Sequence, residues 1–488
     1  MQVETSAAVE KENNMENIRS VPVIISFVIA GFIGLFSETA LNMALSNLIT
    51  SFGIHETTAQ WLTTGYLLTL GILVPISGLI LQWFTTRQLF ITSLIISIIG
   101  TFLAAIAPTF SVLLIARVVQ AIGTALLLPL MFNTILIIVP PQKRGKIMGI
   151  IGLVIMFAPA VGPTLSGLIL KNLSWHWIFW ISLPLLIGAL IYGMYFMQNV
   201  STPTKPKIDS LSIVLSTIGF GGIVYGFSSA GEGEGWSNPI VIACIAVGVI
   251  ALILFSLRQI KMEKPMLNLS VFKYPMFTLG LVMIIIAMMT ILSSMILLPL
   301  YLQTSLALST FAAGLLLLPG GVINGLLSPV MGSLFDRFGP KWLVIMGFVI
   351  ITGTMFGFTT ITMETTSAFI VGMHIFMMIG VSMVMMPAQT NGLNQLPREL
   401  YPDGTAIMNT LQQVSGAIGT AVAISILSSS SKKYMSSVAD PENPINQVLA
   451  FTEGVKHAFV FAIIIGVIGL VLSIFLKRVV VENTEKTH

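Results

Sequence analysis

Charged residues are scarce in this sequence. Aspartate, glutamate, lysine and arginine make up 9% of its 488 residues, whereas soluble globular proteins carry about 25%. Hydrophobic residues make up 55%. An ordinary soluble domain is therefore excluded, because too few charged side chains are present to cover a surface that faces water. The formal net charge of +4 is spread over short loops and does not indicate a nucleic-acid-binding surface.

Cysteine is nearly absent as well. The single thiol, Cys244, excludes an intrachain disulfide framework and a metal site built from cysteines. The sequence has no nucleotide-binding loop of the type Gly-x-x-x-x-Gly-Lys-Ser/Thr, so ATP-driven transport is unsupported. It also has no evident cluster of metal ligands and no nucleophile–base set. We therefore expect no enzymatic activity and no cofactor.

Long apolar runs dominate what is present. A membrane-spanning helix needs about 20 apolar residues, and windows of this length predict an all-α polytopic membrane protein with fourteen spans. The predicted spans lie near residues 22–48, 60–82, 88–107, 111–139, 146–170, 177–198, 210–229, 239–258, 276–302, 310–334, 341–360, 367–390, 404–428 and 455–477. The first run is too long for the core of a signal peptide, so we interpret it as a retained span.

The distribution of lysine and arginine predicts the orientation. An even number of spans places both termini on one side. Of the 23 basic residues, Arg117 lies within a span, four (Lys171, Lys432, Lys433 and Lys456) lie on the far side, and the other eighteen lie on the side of the termini. Cytoplasmic loops are enriched in lysine and arginine. We therefore expect both termini in the cytoplasm and the spans in the plasma (inner) membrane.

The sequence also contains an internal repeat, as many transporters do. A shift of 254 residues aligns two glycines, a proline and a basic residue on equivalent span ends. The pairs are Gly71 and Gly325, Pro75 and Pro329, Gly78 and Gly332, and Arg87 and Lys341. We therefore predict two six-helix halves at 21–198 and 276–477, two inserted helices with their flanking loops at 199–275, and cytoplasmic tails at 1–20 and 478–488.

An acid stands near the middle of the first span. A carboxylate there costs roughly 2.5–3.5 kcal/mol on insertion scales, so an acid at this depth is a functional candidate. In a helix, Glu38, Asn42 and Ser46 follow at i, i+4 and i+8 and form one polar stripe. Arg117 is the other full charge deep in a span. Glu38 is our candidate proton carrier and Arg117 the group that tunes its pKa, and a structural role remains the alternative for both.

Neutral polar and aromatic side chains at membrane depth predict a polar path through the bundle. The candidate substrate-binding residues are Asn42, Trp61, Tyr66, Gln120, Asn324, Gln389, Asn409 and Gln413. Ordinary hydrogen bonding between helices remains the alternative for the polar residues, and anchoring at the membrane interface for the aromatic ones. In span five, Gly162, Pro163 and Gly167 are candidate gating residues, because glycine permits close helix contact and proline bends a helix.

Five stretches resemble motifs of the major facilitator superfamily. The segment 332–341 (GSLFDRFGPK) resembles the loop motif Gly-x-Leu-Ala-Asp-Arg-x-Gly-Arg-Lys, and 117–123 (RVVQAIG) resembles Arg-x-x-Gln-Gly-x-Gly. The segments 158–167 (APAVGPTLSG), 175–184 (WHWIFWISLP) and 38–46 (ETALNMALS) are similar to motifs of the fourteen-span drug:proton antiporters in that superfamily.

The resemblance implies a proton-coupled antiporter that exports amphipathic small molecules by alternating access. It implies a gating latch at Asp336 and Arg337, where the acid favours the N-terminus of a neighbouring helix. In the first copy of this loop, Gln82 and Trp83 replace the acid and the arginine, so we predict no ionic latch there. We expect a monomer whose partners are drug-like molecules, protons and the lipid bilayer, and no nucleic acid. An exporter of an endogenous lipid or metabolite is the alternative function, and a non-transporting sensor or scaffold is a weaker one.

Overall fold

A computed structural model describes residues 20–479 of the chain, except residues 55, 202, 207 and 231–234. Its described part contains fifteen α-helices, which we number in chain order. They are α1 Ser20–Ala40, α2 Leu45–Phe52, α3 Glu56–Trp83, α4 Thr86–Ala105, α5 Phe110–Ile138, α6 Arg144–Asn172, α7 His176–Phe196, α8 Ser210–Ser229, α9 Pro239–Lys261, α10 Pro275–Thr304, α11 Thr310–Phe338, α12 Lys341–Phe358, α13 Ser367–Asn394, α14 Tyr401–Met435 and α15 Pro444–Ser473.

Fourteen segments of the described chain are long and apolar enough to cross a membrane. A 3₁₀ turn at Leu41–Ala44 joins α1 to α2, and these two helices together make up the first span. Each helix from α3 to α15 corresponds to one further span. The predicted number of spans is therefore confirmed, because the apolar windows of the sequence are separated by clear polar breaks.

Helix starts follow capping side chains in the loops. Thr85, Thr109, Asp209 and Ser309 each accept a hydrogen bond from the backbone N–H three residues on, which satisfies a donor left free at the start of a helix. Asn443 accepts in the same way from the backbone N–H of Ile445.

The last span begins earlier than the sequence predicted. We expected it near 455–477, but α15 runs from Pro444 to Ser473. The cap at Asn443 and a proline at the first helical position start the helix before the apolar window. An ion pair between Lys456 and Glu453, at 2.6 Å, lies on the surface of these early turns. A helix can extend past the hydrocarbon region in this way, and an apolar window does not detect the extension.

At one end of the bundle, α6 meets α11 and α3 meets α14. The loops α5–α6, α11–α12 and α13–α14 lie at this end, together with Arg478. We call it the basic end. Between α6 and α11, the backbones touch: a Cβ on Gly332 would collide with the carbonyl oxygen of Gly145, and a Cβ on Gly149 would lie 2.6 Å from the Cα of Pro329. Between α3 and α14, a Cβ on Gly78 would lie 3.2 Å from the Cβ of Ala406. Glycines thus bring both pairs close together.

Candidate functional site

Arg117 is the centre of a buried polar network. It lies on α5 with 1% of its side chain exposed. Its Nη1 donates to the backbone oxygen of Ser37 at 3.1 Å and to Oε1 of Gln120 at 3.0 Å. Its Cζ lies 4.3 Å from the centroid of the Tyr66 ring, close enough for a cation–π interaction. The guanidinium is therefore held by α1, α3 and its own helix.

Gln120 and Tyr66 extend the network to a fourth helix. Gln120 donates through Nε2 to the hydroxyl of Thr101 on α4 at 2.9 Å and to the hydroxyl of Ser37 at 3.4 Å. The hydroxyl of Tyr66 donates to that of Thr124 at 3.0 Å. The network that we call the Arg117 network comprises Ser37, Tyr66, Thr101, Arg117, Gln120 and Thr124. Polar groups at this depth need such partners, since few alternatives exist in an apolar surrounding.

The backbone on either side of Glu38 connects this network to α6. The side chain of Glu38 itself lies outside the described residues. Its neighbour Ser37 accepts from Arg117. Its other neighbour, Thr39, packs against α6, where a Cβ on Gly162 would collide with the Thr39 hydroxyl and lie 3.3 Å from the Thr39 Cβ. The first span is thus fixed on both sides of the predicted proton carrier.

Two further predicted residues, Asn42 and Pro163, have side chains outside the described residues. Gly167 lies on α6 and is half-buried. Among the predicted substrate-binding residues, Tyr66 and Gln120 join Arg117, whereas Trp61 does not. Trp61 is 40% exposed, and its ring lies tilted by 31° against that of Tyr225, with ring centroids 5.8 Å apart.

The predicted residues of the later spans lie apart from the Arg117 network. Asn324 on α11 is fully buried and donates to the backbone oxygen of Met378 at 2.8 Å. The carboxamide oxygen of Asn324 and the carboxamide nitrogen of Gln389 on α13 are buried without a hydrogen-bond partner in the described part of the chain. Asn409 donates to Thr405 in its own helix at 2.8 Å, and Gln413 is half-buried.

Asp336 contacts α6 at the basic end. Its two carboxylate oxygens accept from the backbone N–H groups of Gly145 and Lys146, both at 2.9 Å. A carboxylate in this place also benefits from the positive end of the helix dipole. The side chain of Arg337 points to solvent, where its guanidinium lies 5.0 Å from the centroid of the Phe338 ring.

The segment that follows α15 closes over the same contact. Arg478 donates to the backbone oxygens of Asp336 at 2.7 Å and of Arg337 at 3.2 Å. Asn391 on α13 holds this segment from both sides, because its Nδ2 donates to the backbone oxygen of Lys477 and its Oδ1 accepts from the backbone N–H of Val479. The C-terminal segment thus holds the backbone of Asp336 while the Asp336 carboxylate binds α6.

Arg144 is one of the eighteen basic residues that the sequence places on the side of the termini, and in the structure it lies at the centre of the basic end. Its side chain is 2% exposed. Nη1 donates to Oδ1 of Asn394 at 2.8 Å and to the hydroxyl of Tyr401 at 3.1 Å, and Nε donates to the backbone oxygen of Val139 at 3.0 Å. One signal was available: a cation at the first turn of a helix is disfavoured by the dipole, so it needs a partner elsewhere.

Comparison with known proteins identifies the family. The Major Facilitator Superfamily model matches residues 27–420. The lincomycin resistance protein LmrB of Bacillus subtilis (strain 168) is 64% identical over 469 residues, which cover 96% of this chain and 98% of that protein. LmrB of Listeria monocytogenes is 65% identical over 463 residues, 95% of this chain and 98% of that protein. The multidrug export protein EmrB of Escherichia coli (strain K12) is 25% identical over 440 residues, 90% of this chain and 86% of that protein.

Solved structures agree on the fold. The human organic anion transporter MFSD10 aligns with a TM-score of 0.65 at 12% identity, covering 93% of this chain and 99% of that one. The proton:xylose symporter XylE aligns with a TM-score of 0.62 at 16% identity, covering 94% and 96%. The fold class that the sequence predicted is confirmed. The protein is therefore a multi-pass membrane protein that belongs to the Major Facilitator Superfamily, within its fourteen-span drug:proton antiporter family.

Proposed function

We propose that this chain exports amphipathic drug-like molecules across the plasma membrane in exchange for protons, acting as a monomer. The observation that carries drug export is the 64% identity to a lincomycin resistance protein over almost the whole length of both chains. The relative's name indicates resistance to one antibiotic, and EmrB is named a multidrug exporter. The substrate class of this chain is accordingly amphipathic antibiotics, with lincomycin the first compound to test.

Glu38 carries the proton in this proposal, and Arg117 is the group that sets how tightly the proton is held. Support comes from the burial of Arg117 and from its hydrogen bond to Ser37, the residue beside Glu38. The interaction of two charges strengthens steeply as they approach and as water is excluded. A movement of α1 relative to α5 therefore changes the proton affinity of Glu38. This couples proton binding to a change of conformation.

Alternating access takes place between the two predicted halves, 21–198 and 276–477, with both termini in the cytoplasm. In this orientation the basic end faces the cytoplasm. Three contacts between the halves support a state that is closed on that side: Asp336 with the start of α6, Arg144 with Asn394 and Tyr401, and Gly78 with Ala406. Export then requires these contacts to break so that substrate enters from the cytoplasm. They form again when the protein opens outward.

Transport by purified protein in proteoliposomes with an imposed pH gradient tests the proposal. We expect wild-type protein to transport lincomycin in exchange for protons and Glu38→Gln to lose this pH-driven transport. The matched control is Glu453→Gln, which neutralises an acid paired with Lys456 on the surface of α15 and should transport like wild type. Proton-driven transport that persists in Glu38→Gln would exclude Glu38 as carrier. A folded wild-type protein that transports no antibiotic of a panel would contradict drug export.

A further inference from the structure

The helix α8 packs across the seam between α3 and α14, and α9 packs against α8. On one side, a Cβ on Gly71 of α3 would lie 2.9 Å from Cγ2 of Val224, and a Cβ on Gly221 would lie 3.2 Å from Cγ1 of Ile72. On the other side, Val224 belongs to a buried apolar cluster with Val414 of α14. The helix α8 therefore contacts both members of the pair that meets at Gly78.

The linker that leads into α8 is bound to the end of α3. The backbone N–H groups of Thr204 and Lys205 both donate to the backbone oxygen of Gln82, at 2.9 and 3.2 Å. The indole N–H of Trp83 donates to the backbone oxygen of Pro206 at 2.9 Å. Gln82 and Trp83 are the two residues at which the first copy of the loop motif departs from the pattern with an acid and an arginine. At the two positions where that pattern implies an ionic latch, the end of α3 instead binds the linker that leads into α8.

The linker that leaves α9 is bound to the start of α14. The backbone N–H of Asn268 donates to Oδ1 of Asp403 at 3.0 Å, and Asp403 is 4% exposed. The preceding residue, Leu267, lies at the seam itself, because a Cβ on Gly78 would be 3.5 Å from its Cδ1. One linker is thus attached to α3 and the other to α14.

Side chains tie the two linkers to each other. Arg258 near the end of α9 forms a bidentate ion pair with Asp209 at the start of α8, at 2.6 and 2.9 Å. Hydrogen bonds from Arg258 and Ser212 hold the pKa of Asp209 well below its usual range, so the pair stays ionised near neutral pH. Gln259 donates to the hydroxyl of Ser212 at 2.6 Å and accepts from the backbone N–H of Leu267 at 3.2 Å. The two linkers and the ends of α8 and α9 form one hydrogen-bonded unit.

We infer that α8 and α9, together with the linker residues 203–206, 208–209 and 262–268, act as a bracket that holds the α3–α14 seam closed at the basic end, where the first loop copy lacks the acid and the arginine of the latch motif. The inference rests on the alternating-access part of the proposed function. Opening of the seam must separate Trp83 from Asp403, and the bracket is attached near both. One attachment therefore has to break before the seam can open. Trp83, Gln259 and Asp403 are positioning residues in this scheme, since they bias the conformational equilibrium without touching the substrate.

Distance measurements across the seam test the bracket. Spin labels at Phe84→Cys and Glu399→Cys, in a Cys244→Ser background, place one probe just after α3 and one just before α14. Both native side chains are exposed, so labelling leaves the packing intact. Pulsed electron spin resonance in lipid nanodiscs then gives the fraction of molecules with a closed or an open seam.

Two conservative variants should open the seam. Trp83→Phe removes the indole donor but keeps an aromatic ring. Gln259→Leu removes, at similar volume, the hydrogen bonds that join the end of α9 to Ser212 of α8 and to Leu267 of the second linker. We expect each to raise the ratio of open to closed molecules at least threefold. The matched control is Arg87→Gln, because the Arg87 guanidinium lies at the same end but donates to Met194 within the same half. It should leave the distances unchanged.

The outcomes separate the bracket from the proposed function. If lincomycin and a change of pH open the seam in wild-type protein but both variants match wild type, the bracket is overturned and alternating access stands. If the wild-type seam never opens under any condition and the variants do not open it either, alternating access fails and the bracket fails with it. Thermal unfolding of each variant in the same nanodiscs shows that it has folded.

Discussion

Replacing Asp336 with asparagine should open the basic end between α6 and α11. The carboxylate accepts from two backbone N–H groups of the first turn of α6, each at 2.9 Å. Asparagine keeps one acceptor and turns an NH2 group toward the second N–H, so one charge-assisted hydrogen bond is lost. Such a bond contributes about 1.5–3 kcal/mol. Since about 1.4 kcal/mol corresponds to a tenfold change, the ratio of open to closed molecules should rise roughly 10- to 150-fold.

Spin labels at Gln142→Cys and Lys341→Cys, in the Cys244→Ser background, measure this ratio, because both exposed residues flank the Asp336 contact. The matched control is Glu364→Gln, which neutralises an exposed acid in the loop between α12 and α13. It should leave the distance distribution unchanged. Our reasoning would be refuted if folded Asp336→Asn gave the wild-type distribution, since the two hydrogen bonds would then contribute nothing to closure.

Three further predictions concern other parts of the bundle. Gly162→Leu should abolish transport without preventing membrane insertion, because its side chain would collide with Thr39, whereas Gly188→Leu should transport normally, since nothing lies within 4 Å of a Cβ there. Arg117→Gln should shift the pH of half-maximal transport, and an unchanged profile would leave Arg117 with a structural role. Asp209→Asn should lower the melting temperature at pH 7. The folded-state pKa of Asp209 is depressed by Arg258, so its contribution to stability is complete above the unfolded pKa of about 4 and falls away only below that pH. The difference in melting temperature between wild type and Asp209→Asn, measured at each pH, should therefore stay constant from pH 7 down to about pH 4 and shrink below it. A difference that stays constant into stronger acid would contradict this.

The sequence predicted the number of spans and the fold class because both depend on the length of apolar windows. It did not predict the start of α15, since the cap at Asn443 lies outside the apolar window. The depth of Arg117 and Gln120 in span four makes them candidates, but their contact with Tyr66, for which anchoring at the membrane interface was the alternative, depends on how four helices are rotated against one another. A single sequence does not contain that rotation.

Arg144 and Asn409 show that a single sequence does not reveal the partners of a polar side chain. Arg144 looks like a loop cation in the sequence, and only the approach of α13 and α14 gives it Asn394 and Tyr401 as partners. Asn409 is predicted to bind substrate, and the structure adds a contact that residue type does not reveal, since its Nδ2 donates to the backbone oxygen of Thr405 in its own helix. Residue type and depth in the membrane identify the candidates. The contacts that each side chain makes in the folded bundle decide what it does.

The clamp that Asn391 forms on Lys477 and Val479 has a consequence for biogenesis. These residues follow all fourteen spans of the described chain, and Arg478 between them donates to the backbone oxygen of Asp336 at the end of α11. During synthesis, α6 and α11 are inserted long before the segment that stabilises their contact leaves the ribosome. Until then, the contact between α6 and α11 lacks the hydrogen bonds that Arg478 makes to the end of α11.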